Sequence, residues 1–429
     1  MNMTLQNGTY DRSWDIVKFR DCIVQLNTGL NPRDNFALGN GEFKYITAKN
    51  LTREGNIDFS TCDYIDGQAK EIIHRRSCIQ KGDVLFASRA PIGHCHLITE
   101  EPNYYDIGES IFCIKVNRDI ILPEFLCLYL SSDFFVKMAS KRVTGSVIQE
   151  IRIADLLDTD VIVPRKEEQE KIAECIGKIS TKIELNKSLC SDLEAMAKLL
   201  YDYWFVQFDF PDENGKPYKS SGGKMVWNGE LKREIPEGWK VKNLGDISSL
   251  QQSSVFPESG AKYSHYSIPA FDESRMPIVE DGEAIASNKY LVPKGSVLVS
   301  KLNPQFKRIW LVLNTMDNAI CSTEFLPAQA TEAGIYYLYS LLNTDAFSIH
   351  LKQKASSSTG SRKRIDPENV MSFQFAYDEK IAKLFNEKAA PLFEQANQMP
   401  TENQQLASLR DFLLPMLMNG QVKVGIGQK

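Results

Sequence analysis

The apolar positions of the chain fall into a helical rhythm that appears twice. Ile172, Ile176, Ile179, Ile183, Asn186, Cys190, Leu193, Ala197 and Leu200 follow one another in alternating steps of four and three. That spacing lays a stripe along one helix face and is the spacing of a coiled-coil seam. Near the C-terminus, Phe385, Leu392, Met399, Leu406 and Leu413 recur every seven residues. They predict a second long helix, and two such seams in one chain can bury each other. Asn186 sits on the first seam, where a buried polar residue fixes register at some cost in stability; a solvated lapse in the pattern is the other reading. Pro391 and Pro400 lie inside the second pattern. Proline lacks the helical N–H and crowds the preceding turn, so the second helix is expected to kink or break there.

Ahead of each helix the pattern changes to short strand-like runs, and these runs repeat. WDIVKFRDC (Trp14 to Cys22) parallels WKVKNLGDI (Trp239 to Ile247), and KGDVLFAS (Lys81 to Ser88) parallels KGSVLVSK (Lys294 to Lys301). RVTGS (Arg142 to Ser146) parallels SSTGS (Ser357 to Ser361), each followed by a β-rich run, DTDVIVP or VMSFQFAY. The displacement is about 213 to 225 residues throughout, the mark of a tandem duplication. A mixed α+β fold follows, built from two related globular halves, each ending in a long helix. Between the halves, Phe210 to Trp239 is rich in Gly, Pro, Ser and Lys and reads as a linker with short turns.

Composition narrows the classes. A length of 429 residues favours several domains. No apolar run reaches the roughly 18 residues that cross a bilayer, and the N-terminus lacks a basic segment followed by an apolar core, so a cytoplasmic location is expected. The nine cysteines, odd in number and scattered, do not form a disulfide framework. His94-Cys95-His96 is the only local metal-like cluster; with no second cluster to complete four ligands, a plain strand is the better reading and no metal is expected. A net charge of -5 argues against indiscriminate coating of DNA but leaves room for local basic loops.

Catalytic motifs are poorly supported. Asn303-Pro304-Gln305-Phe306 approaches the [DN]PP[YF] loop of adenine methyltransferases, but it has one proline too few and no Gly-rich cofactor turn upstream. Pro211-Asp212 with Glu230-Leu231-Lys232 fits a PD-(D/E)xK nuclease string, yet it falls in the linker rather than on adjacent strands. No P-loop, HExxH or GxSxG occurs. What remains is a set of basic loops bearing hydroxyls and glycine: Lys141, Arg142, Thr144 and Ser146 in the first half, and Lys354, Ser361, Arg362, Lys363 and Arg364 in the second. Such loops suit phosphate contacts, and an arginine among them can pair with a guanine edge. Arg89, Lys301, Lys307 and Arg308, beside the repeated strand, are further candidates for DNA contact; the bland alternative for all of them is ordinary surface charge.

Four segments in order, GDVLFASRAPIG (Gly82 to Gly93), IVPRKEEQEKIA (Ile162 to Ala173), the linker, and LRDFLLPMLMNGQ (Leu409 to Gln421), resemble the specificity subunits of Type I restriction-modification systems. The resemblance covers nearly the whole chain. It implies target-recognition domains at 1–164 and 236–377, a central conserved helix at 165–206, a linker at 207–235 and a C-terminal helix and tail at 378–429. It further implies that the helices pack as an antiparallel coiled coil, with Ile172, Ile176, Ile179, Ile183, Asn186, Leu193 and Leu200 facing Phe385, Leu392, Leu406 and Leu413. The implied partners are a bipartite double-stranded DNA site, two methyltransferase subunits and restriction/translocase subunits, with no membrane. This chain would be non-catalytic and hold no cofactor; S-adenosylmethionine, ATP and Mg would belong to the partner subunits. A helix of roughly 40 residues, about 60 Å long, then acts as a ruler that limits the gap between half-sites to about 17 base pairs. Two alternatives stay open: an enzyme fused to recognition domains, and an orphan bipartite DNA-binding protein without methyltransferase partners. The second half departs from the pattern, with Lys301-Leu302-Asn303-Pro304-Gln305-Phe306 where the first has its SRAPIG string.

Overall fold

Each half is organised around one short strand that is buried along its whole length, and such strands read as continuous apolar runs rather than alternating ones. In the computed structural model, which describes residues 11–33, 35–140, 150–315, 317–357 and 363–425, these strands are Val84–Ala87 and Ser296–Ser300. The first lies between Ile111–Val116 and Cys95–Leu97, with Ile23–Thr28 outermost, in a four-stranded antiparallel sheet. The second lies between Phe325–Ala330 and Ile309–Val312, with Ser248–Leu250 outermost, in the same order. The turn into each strand carries a glycine at positive φ, 90° at Gly82 and 71° at Gly295, a conformation that other residues adopt only at a cost.

A second, mixed sheet accompanies each four-stranded one, and each contains one parallel pair. Phe43–Ile46 runs parallel to Tyr105–Ile107 in the first half, and Lys262–Tyr266 runs parallel to Ala319–Ser322 in the second. The opening and closing strands of each half also pair, Asp15–Lys18 with Asp160–Val163 and Lys240–Asn243 with Gln374–Tyr377. The duplication read from sequence is therefore a duplication of topology.

Contacts divide the chain into two units, Met1–Glu184 with Asn403–Lys429, and Leu185–Glu402. Each long helix, Lys166–Tyr201 and Glu379–Met418, contributes to both. Within the first unit, Ile172 and Ile176 share a core with Leu413, Leu414, Leu417 and Met418, and the Asn403 side chain donates to the Ile183 carbonyl at 3.3 Å. Within the second, Leu193 packs with Leu392, Ala396 and Met399, and Phe385 meets Tyr201. Rising numbers on one helix meet falling numbers on the other, so the helices run antiparallel in each unit. Asn186 is buried and its amide donates to Glu402 at 2.8 Å.

Two expectations need correction. The second helix continues unbroken through Pro391 and Pro400. The missing N–H of Pro400 leaves the Ala396 carbonyl without its helical donor, and the Cys190 thiol donates to that oxygen at 3.5 Å; Pro391 and Glu387, whose carbonyl it leaves without a helical donor, are both exposed to solvent. The linker is likewise not a loose connection. Phe208, Phe210, Ile235 and Trp239 enter the largest core of the second unit, Phe210 stacks on Tyr218 at 4.7 Å, and Met225–Asn228 pairs with Arg233–Pro236 as a hairpin. Its aromatics, not its turn residues, decide its structure.

His94 and His96 both serve a nearby loop: their Nδ1 atoms face the carbonyls of Leu51 and Gly55. Among the described residues no group of His, Cys, Asp or Glu side chains is arranged to hold a metal ion, and none of the helices is long and apolar enough to cross a membrane. All nine cysteines are free thiols.

Candidate nucleic-acid interface

The buried central strands end at equivalent junctions. In the first half, Ser88 N–H donates to Ser110 and Ile151 N–H donates back to the Ser88 carbonyl, at 3.0 and 2.9 Å; Arg89 and Glu150 form an antiparallel bridge. In the second half, Lys301 N–H donates to Glu324 and Ile365 N–H donates to the Lys301 carbonyl, at 2.7 and 3.1 Å, while Leu302 and Arg364 form the bridge. Backbone geometry thus equates Ser88 with Lys301, Arg89 with Leu302, Ser110 with Glu324 and Glu150 with Arg364. The segments 141–149 and 358–362, which hold Lys141, Arg142, Thr144, Ser146, Ser361 and Arg362, lie outside the described residues, but the chain leaving each of them returns to the end of the central strand.

Charge at the two junctions differs sharply. Arg89 is clasped by Glu109, Nη1 to Oε1 at 2.9 Å, and approached by Glu150 at 3.4 Å. Asn31 also donates to Glu109, at 2.8 Å. Partial burial works against ionisation of Glu109, but the hydrogen bonds from Arg89 and Asn31 outweigh it and hold the carboxyl below its usual range. In the second half a single acid, Glu324, receives both Arg364 nitrogens, Nη2 at 2.7 Å and Nε at 3.3 Å, and Lys301 and Lys363 stand nearby in the chain. Lys363 is also joined to the turn after the strand: Asn303 N–H donates to its carbonyl at 2.8 Å, and its own N–H donates to Asn303 Oδ1 at 3.2 Å. The first junction is acid-rich around one arginine; the second is cation-rich around one acid.

The remaining candidates are placed elsewhere. Arg308 forms a two-pronged ion pair with Asp272, at 2.7 and 2.8 Å. The Lys307 ammonium donates to the Asn343 carbonyl, and desolvation lowers its pKa. It helps line a cavity of about 340 Å³ with Lys198, Asp202 and Arg275. Lys354 is exposed at the last position of the helix Asp345–Lys354. Sequence reasoning missed the acids that restrain these cations, Glu109, Glu150, Asp272 and Glu324. They are remote in sequence, and only the alignment of the two halves, which sets Glu150 opposite Arg364, gives a trace of them.

Comparison with known proteins follows this geometry. Residues 12–195 match the family model described as the Type I restriction modification DNA specificity domain. The chain is 25% identical to the Type I restriction enzyme MjaIX specificity subunit of Methanocaldococcus jannaschii, over 97% of this chain and 95% of that one. It is 23% identical to the HindI specificity subunit of Haemophilus influenzae, over 85% and 90% respectively. The crystal structure of a Type I restriction-modification S subunit from M. genitalium shares the fold, with a TM-score of 0.59 at 15% identity, covering 97% of this chain and 99% of that one.

Proposed function

Because the chain belongs to the family of Type I restriction-modification specificity subunits, we propose that it is the non-catalytic, cytoplasmic DNA reader of such a system. The recognition domains, 1–164 and 236–377, each take one half of a split DNA site. The observation that carries this reading is the repeated junction, where one backbone arrangement presents two different sets of charged side chains. Same scaffold and different side chains are what two unlike half-sites require, since base edges are told apart by donor and acceptor pattern. Arg89 in the first domain and Lys301, Lys363 and Arg364 in the second are the proposed DNA contacts at the junctions, with Lys141, Arg142, Thr144, Ser146, Ser361 and Arg362 as further proposed contacts from the segments 141–149 and 358–362. Arg308 and Lys307 must first exchange Asp272 and Asn343 for DNA, as Arg89 and Arg364 must exchange their glutamates. Methylation and cleavage are assigned to partner subunits carrying S-adenosylmethionine, ATP and Mg.

Mapping methylated adenines in cells that express the chain with its methyltransferase subunit tests this. Two short motifs at a fixed gap are expected. Inserting one heptad into each long helix, after Asn186 and before Glu402, lengthens the gap by up to about 3 base pairs and leaves both motifs intact. A changed motif with an unchanged gap contradicts the ruler.

The partner surface is assigned to the first long helix. Leu185, Leu189, Met196 and Leu199 are exposed at helical spacing, Leu199 by 68%. An exposed apolar stripe on a soluble chain marks a contact site. The double substitution Met196→Asp and Leu199→Asp is expected to lower recovery of the methyltransferase subunit at least about ten-fold in co-purification, while the melting temperature of the isolated chain stays unchanged.

A further inference from the structure

The Asn303–Phe306 turn follows the central strand of the second half and is absorbed by none of the roles above. Its construction is specific. Asn303 sits at φ 50°, a left-handed conformation that asparagine tolerates better than most residues. It is tied to Lys363 by two hydrogen bonds, one from its backbone and one to its side chain. Pro304 is buried, and the Phe306 N–H closes the turn on the Asn303 carbonyl at 2.9 Å. Gln305 is exposed. Phe306, a large apolar ring, is 56% exposed. The Arg308 guanidinium lies 5.0 Å from the ring centroid, itself fixed by its fork to Asp272. A carboxamide and an aromatic face are thus held outward on a rigid turn, next to the cations Lys301, Lys363 and Arg364.

Resting on the specificity-subunit reading, we propose that this turn is a base-reading element of the second recognition domain. Gln305 pairs through its amide donor and acceptor with the N6 and N7 edge of an adenine, and Phe306 contacts the methyl group of an adjacent thymine. The flanking cations hold the phosphates. The chemistry follows from geometry: glutamine matches adenine bidentately in the major groove, apolar side chains meet the thymine methyl, and neither contact survives without a backbone that keeps the side chains in place. The equivalent segment of the first half, Ala90-Pro91-Ile92-Gly93, leaves the same strand end with Ile92 in the place of Gln305 and Gly93 in that of Phe306, as expected of a position that reads a different sequence.

The test is made in the assembled complex of the full chain with its methyltransferase subunits, by mapping methylated adenines over a library of randomised sites. Gln305→Ala is expected to relax discrimination at one A·T pair of one half-site by about ten-fold or more, with the other half-site and the gap unchanged. Phe306→Ala relaxes an adjacent thymine position of the same half-site. Gln305→Glu, which presents only acceptors, shifts preference at that position towards cytosine. Native discrimination in all three variants overturns the proposal. So does uniform weakening of methylation with unaltered preference, or loss of the methyltransferase subunit from the complex, which would make the turn a protein contact. If the native chain itself yields no split motif, the specificity-subunit reading fails, and the role of the turn falls with it.

Discussion

Replacing Phe385 by alanine is expected to cost about 3–5 kcal/mol of stability in the second unit. Phe385 is wholly buried on the second long helix. Its ring lies 5.6 Å from Tyr201, 5.9 Å from Trp204, 5.5 Å from Phe205 and 6.3 Å from Tyr337. All four of these pairs are T-shaped, a geometry that adds to the gain from burial alone. The residue thus joins the end of one helix, the start of the other and the helix Ile335–Leu342 of the recognition domain. Hydrogen exchange along residues 197–206 and 379–393 measures the effect; protection equal to that of the native chain would show that the cluster closes over the gap. Phe385→Leu, which retains much of the volume, is expected to lose less.

The second large effect is expected at Asp83. Its carboxylate, 3% exposed, pairs with the Lys115 ammonium at 2.8 Å and accepts the Gln80 N–H at 3.0 Å. Lys115 otherwise donates to the Cys78 carbonyl. Asp83→Ala leaves a largely buried cation without its counter-charge, at a cost of about 3–5 kcal/mol. The pair itself adds little net stability, because two charges have been withdrawn from water, so the double change Asp83→Leu with Lys115→Met is expected to recover most of the loss. Thermal unfolding of the three chains decides between these terms: a double variant no better than Asp83→Ala would show that the ion pair has a structural role beyond charge balance.

The second half supports this view, since it builds the same corner without charge. Ser296 occupies the place of Asp83 and Pro293 that of Gln80. Proline has no N–H to give, and the Ser296 hydroxyl instead donates to the Pro293 carbonyl at 2.7 Å. Gln329, in the place of Lys115, donates to the Lys294 carbonyl at 3.2 Å. The hydrogen-bond pattern has been rebuilt around a neutral solution.

These comparisons show where sequence is informative. The helical seams were legible because their signal is local: Ile172, Ile176, Ile183 and Leu193 recur at a spacing that only one face of a helix explains. The central strands were legible because VLFA and VLV are uninterrupted apolar runs, and the duplication set them side by side. Pro391 and Pro400 misled, since a local rule predicts a break and cannot register a thiol on the other helix that takes up the freed carbonyl. The linker misled for a similar reason, its glycines and prolines being more conspicuous than Phe208, Phe210 and Trp239. At the junctions, cations announce themselves in sequence, but their restraint does not. Glu324 lies 40 residues from Arg364, and Asp272 lies 36 residues before Arg308.

The closure of the first unit bears on how the chain is made. Its core contains Leu417 and Met418 beside Trp14 and Phe19, Asp11 N–H donates to the Asn419 carbonyl at 2.8 Å, and Lys423 pairs with Asp11 at 2.9 Å. Among the described residues the buried cores of the second unit draw on residues from Leu193 to Met399. Domains commonly fold in the order in which they leave the ribosome; here the half translated first draws on residues 417–423 for its closure, and the half translated second precedes them.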